Sequence, residues 1–158
     1  MRLLDFLAAE ATVAELQAVE KEDVIEELVG RLVSAGKLNK RHAKVVTKAI
    51  LEREALGSTG VGGGIAVPHA KHSSVKQIIG CLGRSKKGVD FAAIDGEPVY
   101  LVFLLISPSD QPGPHLKALE HISVVLRDEN FSRFLTRAKD NEELVSLLAE
   151  ADEKFYRD

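Results

Sequence analysis

The sequence predicts an α+β fold: a three-layer α/β/α sandwich with helices on both faces of a mixed β-sheet. Three observations carry that expectation. The run VYLVFLLI at 99–106 is apolar without a break, the pattern of a strand buried on both faces. Segments on either side of it space their apolar residues at helical intervals, so helices are available to cover both sides of the sheet. The length of 158 residues fits one domain, 1–158, that buries a sizeable core.

Taken in order, the opening MRLLDFLAAEATVAEL acquires acidic residues at once and holds no long apolar stretch. Neither a signal peptide nor a membrane span is expected there, and the expected location is cytoplasmic. TVAELQAV at 12–19 reads as a strand that opens into the first long helix. Over 22–36, Val24, Ile25, Leu28, Val29, Leu32 and Val33 form one apolar stripe, with Gly36 as a stop signal. Asn39 can cap a second helix through about Leu56, with Val45, Val46, Ala49 and Ile50 inward, and Gly57 ends it. A glycine-rich loop leads to a short apolar run, Ile65 to Val67, and residues 77–84 look like a strand. FAAIDGEPV at 91–99 holds a turn at Asp95-Gly96 between short extended pieces. SPSDQPGP is a loop by composition, after which Leu116, Leu119, Ile122 and Leu126 mark a helix. A short helix at 130–137 and a final one over DNEELVSLLAE complete the pattern.

Composition narrows the function. The net charge is −3 and no basic block stands out, so nucleic acid is not an expected partner. The single cysteine, Cys81, lies in an apolar run; no internal disulfide is possible, and a buried hydrophobe is the simple reading. The five histidines are His42, His69, His72, His115 and His121. His69 and His72 make an H-x-x-H, but no third or fourth ligand stands at workable spacing, so no metal site is expected. His115 and His121 lie six apart, about 240° around a helix, and cannot share a face. GSTGVGGG at 57–64 has the glycines of a phosphate loop but no G-K-[ST], and it leads from a helix into a strand, the reverse of a dinucleotide turn.

That leaves His69 as a nucleophile or as a loop residue that only wedges its surroundings. Pro68 stiffens the chain before it, and the glycines upstream let other backbone approach. Ser58, Thr59 and the loop amides can donate to an anion. A neutral imidazole is a good nucleophile at physiological pH, and its phosphoryl derivative is labile enough to be passed on.

Three blocks then carry a family resemblance: REALGSTGVGGGIAVPHAK (53–71), FAAIDGEPVYLVFLLISP (91–108) and SDQPGPHLKALEHISVVLRD (109–128). In these, and in their order, the chain resembles the enzyme IIA proteins of the bacterial phosphoenolpyruvate-dependent phosphotransferase system, in the mannitol, fructose and nitrogen-regulatory group. The likeness covers about residues 4–149, and Gly-Ser-Thr-Gly with Pro-His is its most specific part. The family's fold, a mixed sheet sandwiched between helices, agrees with the reading above. The resemblance implies that His69 receives the phosphoryl group as a tele-phosphohistidine, that His115 supports it by hydrogen bonding, and that Arg53, Ser58 and Thr59 bind phosphate. His72 and His121 match nothing functional and are expected on the surface or in packing; His42, among basic residues on the second helix, reads as a surface residue. Ala92 departs from the family, where an acid or a glycine is common after the phenylalanine.

The resemblance further implies an HPr-like phosphocarrier, or its nitrogen-branch counterpart, as donor, and no cofactor, because the donor is not ATP. Downstream stands either a separate enzyme IIB, in sugar transport, or a set of regulatory target proteins. No IIB or membrane-spanning IIC segment is legible in the chain, which tilts the expectation to the regulatory, nitrogen type.

Overall fold

The computed structural model describes residues 1–155, so the last three residues of the expected 1–158 domain lie outside the described residues. The helices are α1 (Leu3–Phe6), α2 (Lys21–Ser34), α3 (Ala43–Leu56), α4 (Pro112–Leu126), α5 (Glu129–Arg137) and α6 (Asn141–Phe155). The strands are β1 (Gly60–Gly62), β2 (Ile65–Ala66), β3 (His69–Lys71), β4 (Ile79–Val89) and β5 (Val99–Ser107).

Strand β5 is the axis of the sheet. Along one edge it pairs antiparallel with β4, from Ile79 opposite Ile106 to Val89 opposite Val99. Along the other it pairs parallel first with β2, at Leu101 and Val102, and then with β3, from His69 opposite Leu105 to Lys71 opposite Ser107. β2 and β3 are thus two pieces of one interrupted strand. Pro68 stands in the gap; it has no N–H to give the ladder, yet its carbonyl still accepts from Leu105 N at 3.0 Å. β1 folds back antiparallel on β2. Beyond the run Ile65 to Val67, the chain therefore stays extended through His69, which places that residue in the sheet and not in a free loop.

The unbroken apolar run of β5 divides its side chains between two cores. Leu101, Phe103 and Leu105 pack in one core with residues of α1, α4, α5 and α6, and Val102, Leu104 and Ile106 pack in the other with α2 and α3. The three-layer expectation holds, with a mixed sheet. α2 ends as its sequence suggests: Gly36 adopts φ 75° and the N–H of Lys37 reaches back to Leu32 O at 2.9 Å, the left-handed stop that glycine favours.

Four local expectations change. Residues 12–19 lie along the outer edge of β4 but form only an isolated parallel bridge, at Val13 with Gly83, with another just beyond them at Glu20 with Asp90. The reason is Glu27 on α2, whose carboxylate accepts from the backbone N–H of Gln17 and Ala18 at 3.0–3.2 Å and takes those donors out of any ladder. β4 runs on to Val89 through RSKKG, with a register irregularity between Arg84 and Val89. There the hydroxyl of Ser85 accepts from Gly88 N at 3.0 Å, and such a bulge absorbs residues that a plain alternation would exclude. Residues 91–98 form no strand: Gly96 N donates to Ala93 O at 2.9 Å in the expected turn, and Ala92 is held at φ 50°, a backbone region that suits glycine. On α3, Val46 and Ile50 are buried but Val45 is exposed.

The largest change is in α4. It begins at Pro112, inside the segment expected as loop; proline is tolerated in a first helical turn because its missing N–H would have no partner there. Its buried stripe is His115, Ala118, Ile122 and Val125; Ile122 is shared with the expected stripe, the other three positions fall one residue earlier, and Leu116 is exposed.

Candidate functional site

The glycine-rich loop is held by the end of α3. Arg53 Nη1 donates to Gly57 O at 2.8 Å across the last turn. Glu54 is buried and accepts from Thr59 N at 3.1 Å and from the Thr59 hydroxyl. It also pairs with Lys21 Nζ at 3.0 Å, which in turn lies 4.9 Å from the centre of the Phe91 ring. The Ser58 hydroxyl donates to Phe91 O at 2.9 Å and accepts from Gly60 N at 3.0 Å. Both hydroxyl hydrogens thus tie the loop to its surroundings, that of Ser58 to Phe91 O and that of Thr59 to the Glu54 carboxylate of α3. Glycine is needed at position 60, where a Cβ would stand 2.8 Å from the Ala93 Cβ and 2.9 Å from its Cα.

Glu54 is a residue that sequence reasoning passed over. Its signal was only its place one residue after Arg53 at a helix end. A carboxylate buried under three donors is costly to remove. Glu54→Ala is expected to lower stability by about 3 kcal/mol and to loosen the loop, checked by urea unfolding and by hydrogen exchange at Thr59 and Gly60.

The two histidines meet at the ends of adjacent strands. His69 opens β3, and His115 lies in the first turn of α4, reached from the end of β5. Their ring centres are 5.4 Å apart and tilted by 52°. His69 is half-buried and His115 buried. The Nδ1 of His69 lies 2.7 Å from Val67 O. A carbonyl can only accept, so that nitrogen carries the proton and Nε2 keeps the lone pair. The Nδ1 of His115 lies 2.5 Å from the hydroxyl of Ser107.

Electrostatics keep both rings neutral near pH 7. Burial pushes the His69 pKa below the ordinary histidine value; the Val67 bond works against that, Arg53 and Lys71 add to it, and Glu54 opposes it. For His115, burial first, then neighbouring His69 and Lys71, push the value down to about 4. Arg53 is thus within electrostatic reach of His69, although its guanidinium hydrogen-bonds to the loop.

The other histidines stand apart from this pair. His72 Nδ1 is engaged with Ser74 at 2.9 Å. His42 accepts from Arg41 Nε at 3.3 Å. His121 Nε2 lies 3.6 Å from Asp152 Oδ1, beyond hydrogen-bond reach. Asp152 instead accepts from Leu3 N and Leu4 N and anchors α1. Among the described residues, no three His, Cys, Asp or Glu side chains form a group that could hold a metal ion. Cys81 is fully buried, and burial pushes its thiol up to about 12. No helix among the described residues is long and apolar enough to cross a membrane.

Residues 5–151 match the family model for the phosphoenolpyruvate-dependent sugar phosphotransferase system, EIIA 2. The chain belongs to that family. It is 36% identical over 149 residues to a nitrogen regulatory protein of Bradyrhizobium diazoefficiens, covering 94% of this chain and 95% of that protein. It is 38% identical over 152 residues to a fructose-specific EIIABC component of Bacillus subtilis, but spans only 24% of that protein's length. Among solved structures it resembles the nitrogen regulatory protein IIA-Ntr of Neisseria meningitidis, with a TM-score of 0.82 and 31% identity, covering 91% of this chain and 97% of that one. The EIIA 2 fold is therefore the fold of this chain, and the EIIA role, a component of phosphoryl transfer, comes with it.

Proposed function

We propose that this EIIA 2 chain, acting as one domain over 1–158 in the cytoplasm, is a phosphocarrier. It takes a phosphoryl group from an HPr-type carrier or its nitrogen-branch counterpart onto His69 Nε2, and its phosphorylation state regulates target proteins. The observation that carries the reading is the opposed ring pair, with His69 Nδ1–H tied to Val67 O and the Nε2 lone pair left over, 5.4 Å between ring centres from His115. In the transfer, the donor's N–P bond breaks as the His69 Nε2–P bond forms, and the electron pair returns to the donor's ring nitrogen. The Nδ1 proton stays on His69. The transferring group carries its charge over three oxygens, and the work of the site is to position it and to donate hydrogen bonds. His115 supplies such a donor, and Arg53 supplies positive charge at the loop.

A protein donor suits the surface around the site. Leu56, Ile94 and Leu116 are 85%, 79% and 57% exposed. Leu56 adjoins Gly57, Ile94 N is bonded to Gly60 O, and Leu116 follows His115. Exposed apolar side chains on the site's own segments offer a carrier a docking surface without a deep cavity.

Single-turnover transfer from a phosphorylated HPr-type carrier tests the reading, with the linkage read by phosphorus–nitrogen couplings in NMR. The phosphoryl group is expected on His69 Nε2; a stable linkage through Nδ1, or label elsewhere, overturns it. Because burial pushes the pKa of His69 below the ordinary histidine value, the rate should fall only at a lower pH than it would for an ordinary histidine, as Nε2 is protonated. His115, pushed down to about 4, makes stability rise with pH between about 4 and 6.5 and level off above, since in that window the unfolded chain binds a proton that the buried ring refuses. Ring C2–H titrations by NMR and urea unfolding across the range check both.

A second reading, a sugar-transport EIIA that hands its phosphoryl group to a separate enzyme IIB, is favoured by the identity to the fructose-specific component. Rapid transfer from phosphorylated chain to a sugar-specific IIB of the same cell decides for transport. Transfer that stalls with every IIB, together with partners that distinguish His69→Ala from His69→Asp, decides for regulation.

A further inference from the structure

A close side-chain bond at the site belongs to a residue that the expected phosphate ligands do not include. Ser107 is the last residue of β5 and is fully buried. Its backbone is fixed twice, by pairing opposite Lys71 and by accepting from His72 N at 2.8 Å. Its hydroxyl lies 2.5 Å from His115 Nδ1. Among the described residues the hydroxyl has no other hydrogen-bond partner.

We propose that Ser107 is a positioning residue whose hydroxyl donates to His115 Nδ1, so that the proton of that ring sits on Nε2 and is available to a phosphoryl group on His69. The proposal rests on the phosphocarrier reading above. The direction of the bond follows from satisfaction of buried groups. If His115 Nδ1–H donated instead, the serine hydrogen would be buried with nothing to accept it, which costs free energy. With serine as the donor, the buried hydroxyl hydrogen and the Nδ1 lone pair satisfy each other. The two rings are then set in opposite senses by their sheet neighbours. Val67 O can only accept, so His69 exposes a lone pair on Nε2. Ser107 can donate, so His115 keeps its N–H on Nε2. One ring is equipped to take phosphorus and the other to hold a phosphoryl oxygen. Burial, which pushes His115 down to about 4, keeps it a neutral donor with a single ring proton, so which nitrogen carries that proton matters.

Ring nitrogen NMR of the unphosphorylated protein tests the bond, and transfer kinetics test its use. In the native protein, His115 Nδ1 should resonate as an unprotonated, hydrogen-bonded nitrogen and Nε2 as a protonated one. In Ser107→Ala, Nδ1 should move to the position of an unbonded nitrogen, with transfer from a phosphorylated HPr-type carrier slower by about tenfold, as for loss of an orienting partner. Ser107→Thr, which keeps the hydroxyl, should restore the rate. A protonated Nδ1 in the native protein, an unmoved Nδ1 resonance in Ser107→Ala, or native-rate transfer by that variant overturns the proposal. The nitrogen spectrum needs no phosphoryl transfer and no variant. It therefore tests Ser107 even where a substitution unfolds the chain, and a native protein that never accepts phosphate refutes the phosphocarrier reading instead.

Discussion

His69→Ala is expected to carry no phosphoryl group at all. Incubated with phosphoenolpyruvate, enzyme I and an HPr-type carrier, the native chain should gain one phosphoryl mass at neutral pH and lose it in acid, as phosphohistidine does. The variant removes the only atom that accepts phosphorus in the proposed reaction, and no donor or positioning group can replace it. Its fold should persist, because His69 is half-buried and its side-chain bond goes to Val67 O only two residues away. Intact mass at both pH values, with circular dichroism, is the measurement. A folded His69→Ala chain labelled to the native level would remove His69 from the mechanism and turn attention to the remaining histidines.

His115→Ala should behave differently. It keeps the acceptor and removes a donor, so transfer should continue but slow by roughly a hundredfold, about 3 kcal/mol, the usual effect of losing one preorganised hydrogen bond to a developing charge. Quench-flow with a phosphorylated carrier resolves this from the complete loss in His69→Ala. The side chain is buried beside Ser107, so the variant must be shown folded before its rate is read. Native-rate transfer by a folded His115→Ala chain would return His115 to a packing role on the buried stripe of α4.

Much of this was legible before any coordinate. Val24, Ile25, Leu28, Val29 and Leu32 repeat at helical spacing and are buried on α2, because periodicity in the chain becomes a face in space. The unbroken apolar run of β5 requires cover on both sides, and two cores supply it. Gly36 stops α2 by the left-handed conformation that its lack of a side chain permits. For the site, the residue types of Pro68-His69 and the glycine loop left a nucleophile and a wedging loop histidine both open, and it was the family resemblance of the blocks around them that singled out His69.

What the sequence determined by itself was therefore local: which segments are helical or extended, where they stop, and which side chains have the chemistry to carry phosphate. What only the tertiary structure decided was how those pieces face one another. Leu116 looked inward by spacing, but the contact of α4 with the sheet buries His115 instead, one position earlier, since the inward face of a helix is chosen by what it packs on. Glu54 and Ser107 lie within the blocks that carry the resemblance but had no role read for them there; each matters because folding removes it from water and leaves it particular partners, Thr59 and Lys21 for one and the His115 ring for the other. Ser58 and Thr59 had the right hydroxyls for an anion, but the folded loop spends their hydrogens on Phe91 O and Glu54. Hydrogen bonds have direction and buried groups must be paired, and both conditions depend on neighbours that are distant in the chain and adjacent only in the fold.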